Sequence, residues 1–281
     1  MNDFFRFVGV IVLLFGTFVY TEKVQVASKV TDEILLKIDE VKSNYEVKAI
    51  EPIIKGNTII PGKNGKEIDV SATYNVLAQS SSFNEKLFVY KPKYVKTKLE
   101  KNKNKFIVGA CKNNKSIGLL FKVSDNDSIS KVKQVLDKAN VKATFYVTSG
   151  FFEKNYELVI RLISEGHTIG NLSNNEDYND GNFAWMSTIL TSSGSQKNNY
   201  CYASYLNKDV LKICNLHNSY TIVPGVIIDK NPFINVKKNI TKGEIISLEV
   251  NRQLNDEAEN IINYIVSKGY HILPLEELLK E

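Results

Sequence analysis

The chain has 281 residues, 43 % of them hydrophobic and 24 % charged, with a formal net charge of +5. That length suits one large or two modest domains, and the composition is that of a globular protein rather than a disordered or fibrous one. Its 36 Lys and Arg residues are scattered among 31 acids and do not gather in the basic stripe used by nucleic-acid binders, so the charge reads as a solvated surface and nucleic acid is not expected as a partner.

The chain opens on a greasy stretch from Phe4 to Tyr20, interrupted by Arg6 and Thr17. Roughly 17 residues is the lower limit for a membrane-spanning helix, and an Arg near its end can snorkel to the interface. A cleaved signal peptide would end in a small-residue site, whereas this run leaves through Thr21, Glu22 and Lys23. Residues 1–22 are therefore expected to be an uncleaved signal anchor. Arg6 and the terminal amine favour an inside N-terminus, which makes the protein single-pass in the cell membrane with its C-terminal part extracytoplasmic. From Val24 to Asn44, Val26, Val30, Ile34, Leu35, Ile38 and Val41 recur at helical spacing, and residues 23–44 are expected to form a juxtamembrane helix.

Residues 45–110 change character. Val47 to Ile54, Leu87 to Tyr90 and Lys93 to Thr97 favour extended backbone, and Ile59 to Gly65 is turn-rich. A small strand-containing region is expected, with no readable chemistry. Residues 111–281 alternate short apolar runs with amphipathic ones. Strands are expected at Ser116 to Phe121, Lys142 to Val147, His167 to Gly170, Tyr200 to Ala203, Thr221 to Val223, Glu244 to Val250 and Ile272 to Leu275. Helices are expected at Ile129 to Lys138, Tyr156 to Glu165, closing at Gly166, and Asn255 to Lys268, with a short terminal helix beyond. Such alternation implies an α/β fold with a parallel sheet and right-handed crossovers, here an open or incomplete (β/α) barrel, in which chemistry sits at the C-terminal strand ends. About 170 residues suffice for a core that needs no staples. Cys111, Cys201 and Cys214 are odd in number with no C-x-x-C pair, so they are not a zinc framework. One Cys201–Cys214 bridge is open to an outward-facing chain, but buried thiols acting as small hydrophobes are the preferred reading.

Three segments carry a family resemblance. Val141-Lys142-Ala143-Thr144-Phe145-Tyr146-Val147, Glu165-Gly166-His167-Thr168-Ile169-Gly170-Asn171 and Lys268-Gly269-Tyr270-His271-Ile272-Leu273-Pro274-Leu275-Glu276-Glu277-Leu278 resemble segments of the polysaccharide deacetylase (NodB-homology) family. The resemblance spans Ser116 to Glu281 and implies a distorted (β/α) barrel. It also implies removal of acetyl groups from N-acetylated wall sugars by a divalent metal, usually zinc, held by one Asp and two His. The metal lowers the pKa of its bound water to about 7; a neighbouring Asp acts as base and a late His as acid.

Carried over position by position, that machinery is missing. Lys122 stands at the base and Val123 at the metal Asp, in Leu120-Phe121-Lys122-Val123-Ser124-Asp125. Leu172 and Glu176 stand at the two metal His positions. Cys201, followed by Tyr202, Ala203 and Ser204, stands where an Arg-x-Pro motif belongs, and Glu249 stands at the late acid His. One carboxylate cannot replace the three protein ligands of a catalytic zinc. No cofactor is therefore expected, and no catalytic residue is assigned. The candidate pocket residues are Asp125, Asp127, Asn171, Glu176, Trp185, Tyr202 and Glu249, with Tyr178, Phe183 and Tyr200 as further aromatic groups that suit sugar rings. Asp127 reads more simply as a helix cap, and His167 as structural. The leading expectation is a catalytically inactive, membrane-anchored module that binds a cell-wall glycan or envelope protein. The alternatives are a deacetylase with a rearranged acidic site, built from Asp125, Asp127, Glu176 or Glu249, and a structural envelope-assembly protein.

Overall fold

The computed structural model describes residues 33–80, 82–113, 115–178, 180–192 and 198–281. These residues fall into two compact units, one holding residues 33–49 and Asn64–Tyr94 and the other Ile50–Lys63 and Val95–Glu281. The expected anchor at residues 1–22 lies outside the described residues. Among the described residues no helix is long and apolar enough to cross a membrane.

In the smaller unit residues 33–45 form helix α1, the described part of the expected juxtamembrane helix. A hairpin of β3 (Gly65–Ile68) and β4 (Tyr90–Lys93) and helix α2 (Val70–Leu77) complete it. Asp69 caps α2 by accepting the Ala72 N–H at 3.0 Å. Ile38, Ile68, Leu77 and Phe88 make its core.

The larger unit carries an open, curled sheet. Its strands are β1 (Ile53–Lys55), β2 (Thr58–Ile60), β5 (Phe106–Ile107), β6 (Ser116–Val123), β7 (Thr144–Val147), β8 (Thr168–Asn171), β9 (Tyr200–Tyr202), β10 (Tyr220–Ile222), β11 (Val226–Ile228), β12 (Ile245–Glu249) and β13 (His271–Ile272). The spatial order is β1-β2-β5-β10-β9-β8-β7-β6-β12-β11, with β13 also on β6. All pairs are parallel except β1 with β2. Helices α3 (Ser130–Lys138), α4 (Ser149–Lys154), α5 (Tyr156–Ser164), α6 (Asp180–Ser192), α7 (Lys208–Leu216), α8 (Pro232–Asn239), α9 (Arg252–Ser267) and α10 (Leu275–Leu278) connect or follow them. The region expected at 45–110 is thus divided. Residues 50–63 and 95–110 supply β1, β2 and β5 to the large sheet, because Ile59 and Ile107 are fully buried in its inner core.

The period-2 alternation of strands sorts the larger unit into two apolar layers. Phe121, Val123, Phe145, Val147, Ile169, Ile246 and Leu248 face the helices and meet Val132, Leu254, Ile261 and Ile265 there. Leu120, Tyr146, Tyr200, Tyr202, Tyr220 and Ile222 face the concave side. Each fully buried Phe in the helix-facing layer contributes roughly 1.5–3 kcal/mol relative to exposure. Gly170 is required on the concave side of β8, since a Cβ there would sit 2.2 Å from the Tyr146 ring.

Cys201 of β9 and Cys214 of α7 form a disulfide, with their Cα atoms 6.3 Å apart. This corrects the expectation of two separate buried thiols. The parallel crossover from β9 through α7 returns the helix against the outer face of its own strand, where Cys201 points.

Candidate functional site

Lys122 is the one charged residue of the eight in β6. Strand alternation turns it to the concave side, while Val123 turns to the helices and is fully buried there. Near the C-terminal strand ends its ammonium donates to Glu176 Oε1 at 2.8 Å. The two side chains are 14 % and 23 % exposed, so water screens the pair only partly. Glu176 also accepts from the Ser204 hydroxyl, 2.8 Å to each oxygen, and from the Ser204 N–H at 3.1 Å.

Glu176 reaches this position through an unusual turn after β8. Ser173, Asn175 and Glu176 all have left-handed backbone, with φ of 51°, 53° and 69°. Non-glycine residues rarely adopt this region, and its cost must be offset by surrounding contacts. The Glu176 N–H donates to the Leu172 carbonyl at 2.8 Å, and the carboxylate gains three charge-assisted hydrogen-bond donors.

Beneath the ion pair is a tyrosine layer. Lys122 Nζ lies 5.5 Å from the Tyr202 ring centroid, and Tyr202 packs edge-on to Tyr146. The Tyr202 hydroxyl donates to Ser247 Oγ at 2.9 Å. Burial pushes the Tyr202 phenol up to about 12, with the Ser247 hydrogen bond opposing and the Glu176 and Glu249 carboxylates reinforcing the shift. Leu172 is fully buried in the same layer. Glu249, at the end of β12, is the register partner of Lys122.

The remaining candidates lie elsewhere. Asp125, in the loop after β6, accepts from the Thr148 hydroxyl. Asp127 accepts from the Ser124 N–H at 2.7 Å and holds the same loop. Asn171 points away from the concave side: it donates to the Phe183 carbonyl and to Ser187 Oγ at 3.1 and 3.0 Å, and so fastens α6 to β8. Trp185 is on α6, packed edge-on to Phe152. Cys201 is in the disulfide. The structure therefore gathers Lys122, Glu176, Tyr202 and Glu249, with Leu172 below them, turns Asn171 and Val123 to the helix side of the sheet, and leaves Trp185 exposed on α6.

Three further residues complete the site; of these Tyr178 was expected only as an aromatic group suited to sugar rings, and Ser204 only as part of the segment where an Arg-x-Pro motif belongs. Ser204 anchors Glu176. Ser247 receives Tyr202. Tyr178 sets its hydroxyl 2.7 Å from the Tyr202 carbonyl and 3.0 Å from that of Asn171, and accepts the Tyr202 N–H at 2.8 Å, stitching β8 to β9 where the strands share a single register pair. Tyr205, next to Ser204, is 67 % exposed. Proximity in sequence to Tyr202 pointed toward Ser204 and Tyr205, the aromatic ring toward Tyr178, and no signal in the sequence toward Ser247.

The residues present do not fit a metal. Val123 and Leu172 offer no donor, and the carboxylate of Glu176 is already held by an ammonium. A second grouping, Asp137, Glu165 and His167, places ligand atoms within 4.8 Å of one another. Lys133 bridges its two carboxylates at 2.6 and 2.9 Å. His167 Nδ1 accepts the Ala143 N–H at 3.1 Å, which makes this histidine a clamp on the chain entering β7.

Comparison with known proteins bears on the fold. Residues 109–204 match the family model described as polysaccharide deacetylase. The chain is 28 % identical over 145 residues to an uncharacterized Bacillus subtilis protein, YlxY, covering 51 % of this chain and 44 % of that one. It is 43 % identical over 49 residues to an uncharacterized 30.6 kDa protein of Geobacillus stearothermophilus, covering 17 % of this chain and 18 % of that one. The chain thus spans less than half the length of the curated relatives it matches. Among solved structures, a CE4 family pseudoenzyme from Bacillus anthracis superposes with a TM-score of 0.66 at 20 % identity, over 88 % of this chain and 95 % of that one. A mutant of that pseudoenzyme with restored enzymatic activity gives 0.67 at 19 %, over 88 % and 98 %. PdaA of Bacillus subtilis, a family 4 carbohydrate esterase, gives 0.55 at 22 %, over 64 % and 86 %. At these identities the structural likeness is one of fold.

Proposed function

Because residues 109–204 belong to the polysaccharide deacetylase family and form a divergent member of it, we propose that the chain is a catalytically inactive, membrane-anchored and extracytoplasmic relative that binds a cell-wall glycan at the C-terminal strand ends. One observation carries the reading: the Lys122–Glu176 ion pair, 2.8 Å long and braced by Ser204, stands where the family would gather a metal. Without a metal, bound water keeps a pKa near 15.7 and no hydroxide forms at neutral pH. What remains is a polar floor of Lys122, Glu176, Ser204 and Glu249 beside the exposed ring of Tyr205, a combination of hydrogen-bonding groups and a flat apolar face that suits a sugar.

Two features support the outward placement. The Cys201–Cys214 disulfide belongs to the oxidising compartments outside the cytosol, and the apolar run from Phe4 to Tyr20 is of anchor length.

The test is calorimetric titration of the full chain, in detergent, with chitotetraose. Saturable binding that Tyr205→Ala or Glu176→Ala weakens by about tenfold or more is the expected result. Release of acetate from the same sugar, abolished by those substitutions, would instead establish the rearranged hydrolase.

A further inference from the structure

The opposite end of the large sheet holds a cavity of about 360 Å³, at the N-terminal ends of β9 and β10. Four carboxylates border it, those of Glu100, Glu276, Glu277 and Glu281, against one ammonium, that of Lys280. Its apolar wall comes from Leu99, Leu279 and the Tyr200–Tyr220 stack, whose ring centroids are 5.9 Å apart at 27°.

Two of the carboxylates are held in place. Glu276 accepts from the Tyr200 hydroxyl at 3.0 Å and from Asn198 Nδ2 at 2.9 Å. Glu281 accepts the Leu99 N–H at 2.8 Å. Burial raises the pKa of the Glu281 carboxyl, and the Glu100 and Glu51 carboxylates add to that rise while the Leu99 N–H and Lys98 oppose it.

A second, independent feature is Tyr220. It is 7 % exposed, it borders the cavity, and its hydroxyl has no hydrogen-bond partner among the described residues. Burial, then the Glu100, Glu281 and Glu276 carboxylates, push that phenol up to about 12, so the oxygen shares the field of three anions. Lys103 does not fill the space. Its ammonium lies 4.8 Å over the Tyr220 ring and is fixed by the Asn218 carbonyl and Oδ1 at 2.9 and 2.8 Å.

We propose that this cavity binds a compact organic ammonium ion, its amine among Glu100, Glu276, Glu281 and the Tyr220 hydroxyl and its carbon frame against Leu99 and Leu279. A bare metal ion suits it less. Calcium needs six to eight oxygens at about 2.3–2.6 Å, whereas here the space is far larger than an ion and Leu99, Leu279 and two tyrosine rings form part of its wall. Tyrosine and carboxylate oxygens around a roomy, partly greasy space match a cation that carries carbon.

The amine has two sources, an amino sugar or an open-chain diamine, and the experiment separates them. The full chain in detergent is titrated calorimetrically with glucosamine hydrochloride, cadaverine, N-acetylglucosamine and calcium chloride. The proposal expects one amine per chain, no N-acetylglucosamine at this site, and binding at least about tenfold weaker in both Tyr220→Phe and Glu100→Gln. Preference for glucosamine over cadaverine assigns the sugar amine; the reverse assigns the diamine. Tyr220→Phe keeps the ring stack, and Glu100 is exposed, so at least one variant retains the fold. Failure of both amines to bind, binding of calcium in their place, or amine binding untouched by the two substitutions would overturn the proposal. None of these residues belongs to the Lys122–Glu176 site, so the glycan reading stands or falls separately.

Discussion

Replacing Glu176 by Ala removes the anion that holds Lys122 and the acceptor of both Ser204 donors. Breaking a fully buried pair costs about 3–5 kcal/mol, because the partner charge is left unpaired in low dielectric. Here the side chains are 14 % and 23 % exposed, so water reaches the orphaned ammonium and the expected loss is about 2–3 kcal/mol. With a urea m-value of about 2 kcal/mol/M, the midpoint should fall by roughly 1 M. Trp185, the single tryptophan of the chain, reports the transition of the larger unit from its seat on Phe152. A double-mutant cycle with Lys122→Met isolates the pair. Glu176→Gly should be milder than Glu176→Ala by about 1 kcal/mol, since only glycine occupies a φ of +69° without steric cost. A coupling energy below about 0.3 kcal/mol, or Glu176→Gly and Glu176→Ala of equal stability, would refute this picture of a strained turn held by its carboxylate.

Two further outcomes follow from the packing. Burial first, then the Lys142 charge, lower the His167 pKa to about 4 from 6.5, against the Glu165 and Asp137 carboxylates. The unfolded chain then binds more protons between those values, so the histidine's contribution is complete above pH 6.5 and is lost as pH falls to about 4. The total is about 3 kcal/mol, read as the difference between wild-type and His167→Asn urea midpoints across that window; parallel curves would contradict it. Opening the Cys201–Cys214 bridge, which spans 13 residues of sequence, should cost about 3 kcal/mol by loop entropy. Melts of Cys201→Ala/Cys214→Ala in the presence and absence of reductant check this, and wild type should lose stability on reduction while the variant does not.

The parts of the fold that were legible are those with one clean period. Ser116–Val123 is apolar except for Ser116 and Lys122 and buried on both faces. Arg252–Ser267 buries Leu254, Ala258, Ile261, Ile262 and Ile265 at three- and four-residue steps. Helix α6 was missed because its Ser, Thr and apolar residues alternate without a dominant face, and β5 because two residues carry no period at all. The family motifs showed what was absent, but not what had taken its place. Glu176 meets Ser204 across 28 residues of sequence through a left-handed turn, a contact that local pattern does not encode. Asn171 was misplaced for a simpler reason. Gly170 faces the tyrosine layer, so its neighbour must face the helices.

The central claim is that these strand ends cannot trap a catalytic cation. Full-length protein, dialysed against zinc and freed of excess by gel filtration, should carry no stoichiometric metal by elemental analysis, in wild type and Glu176→Ala alike. One zinc per chain in wild type, lost in Glu176→Ala, would contradict it.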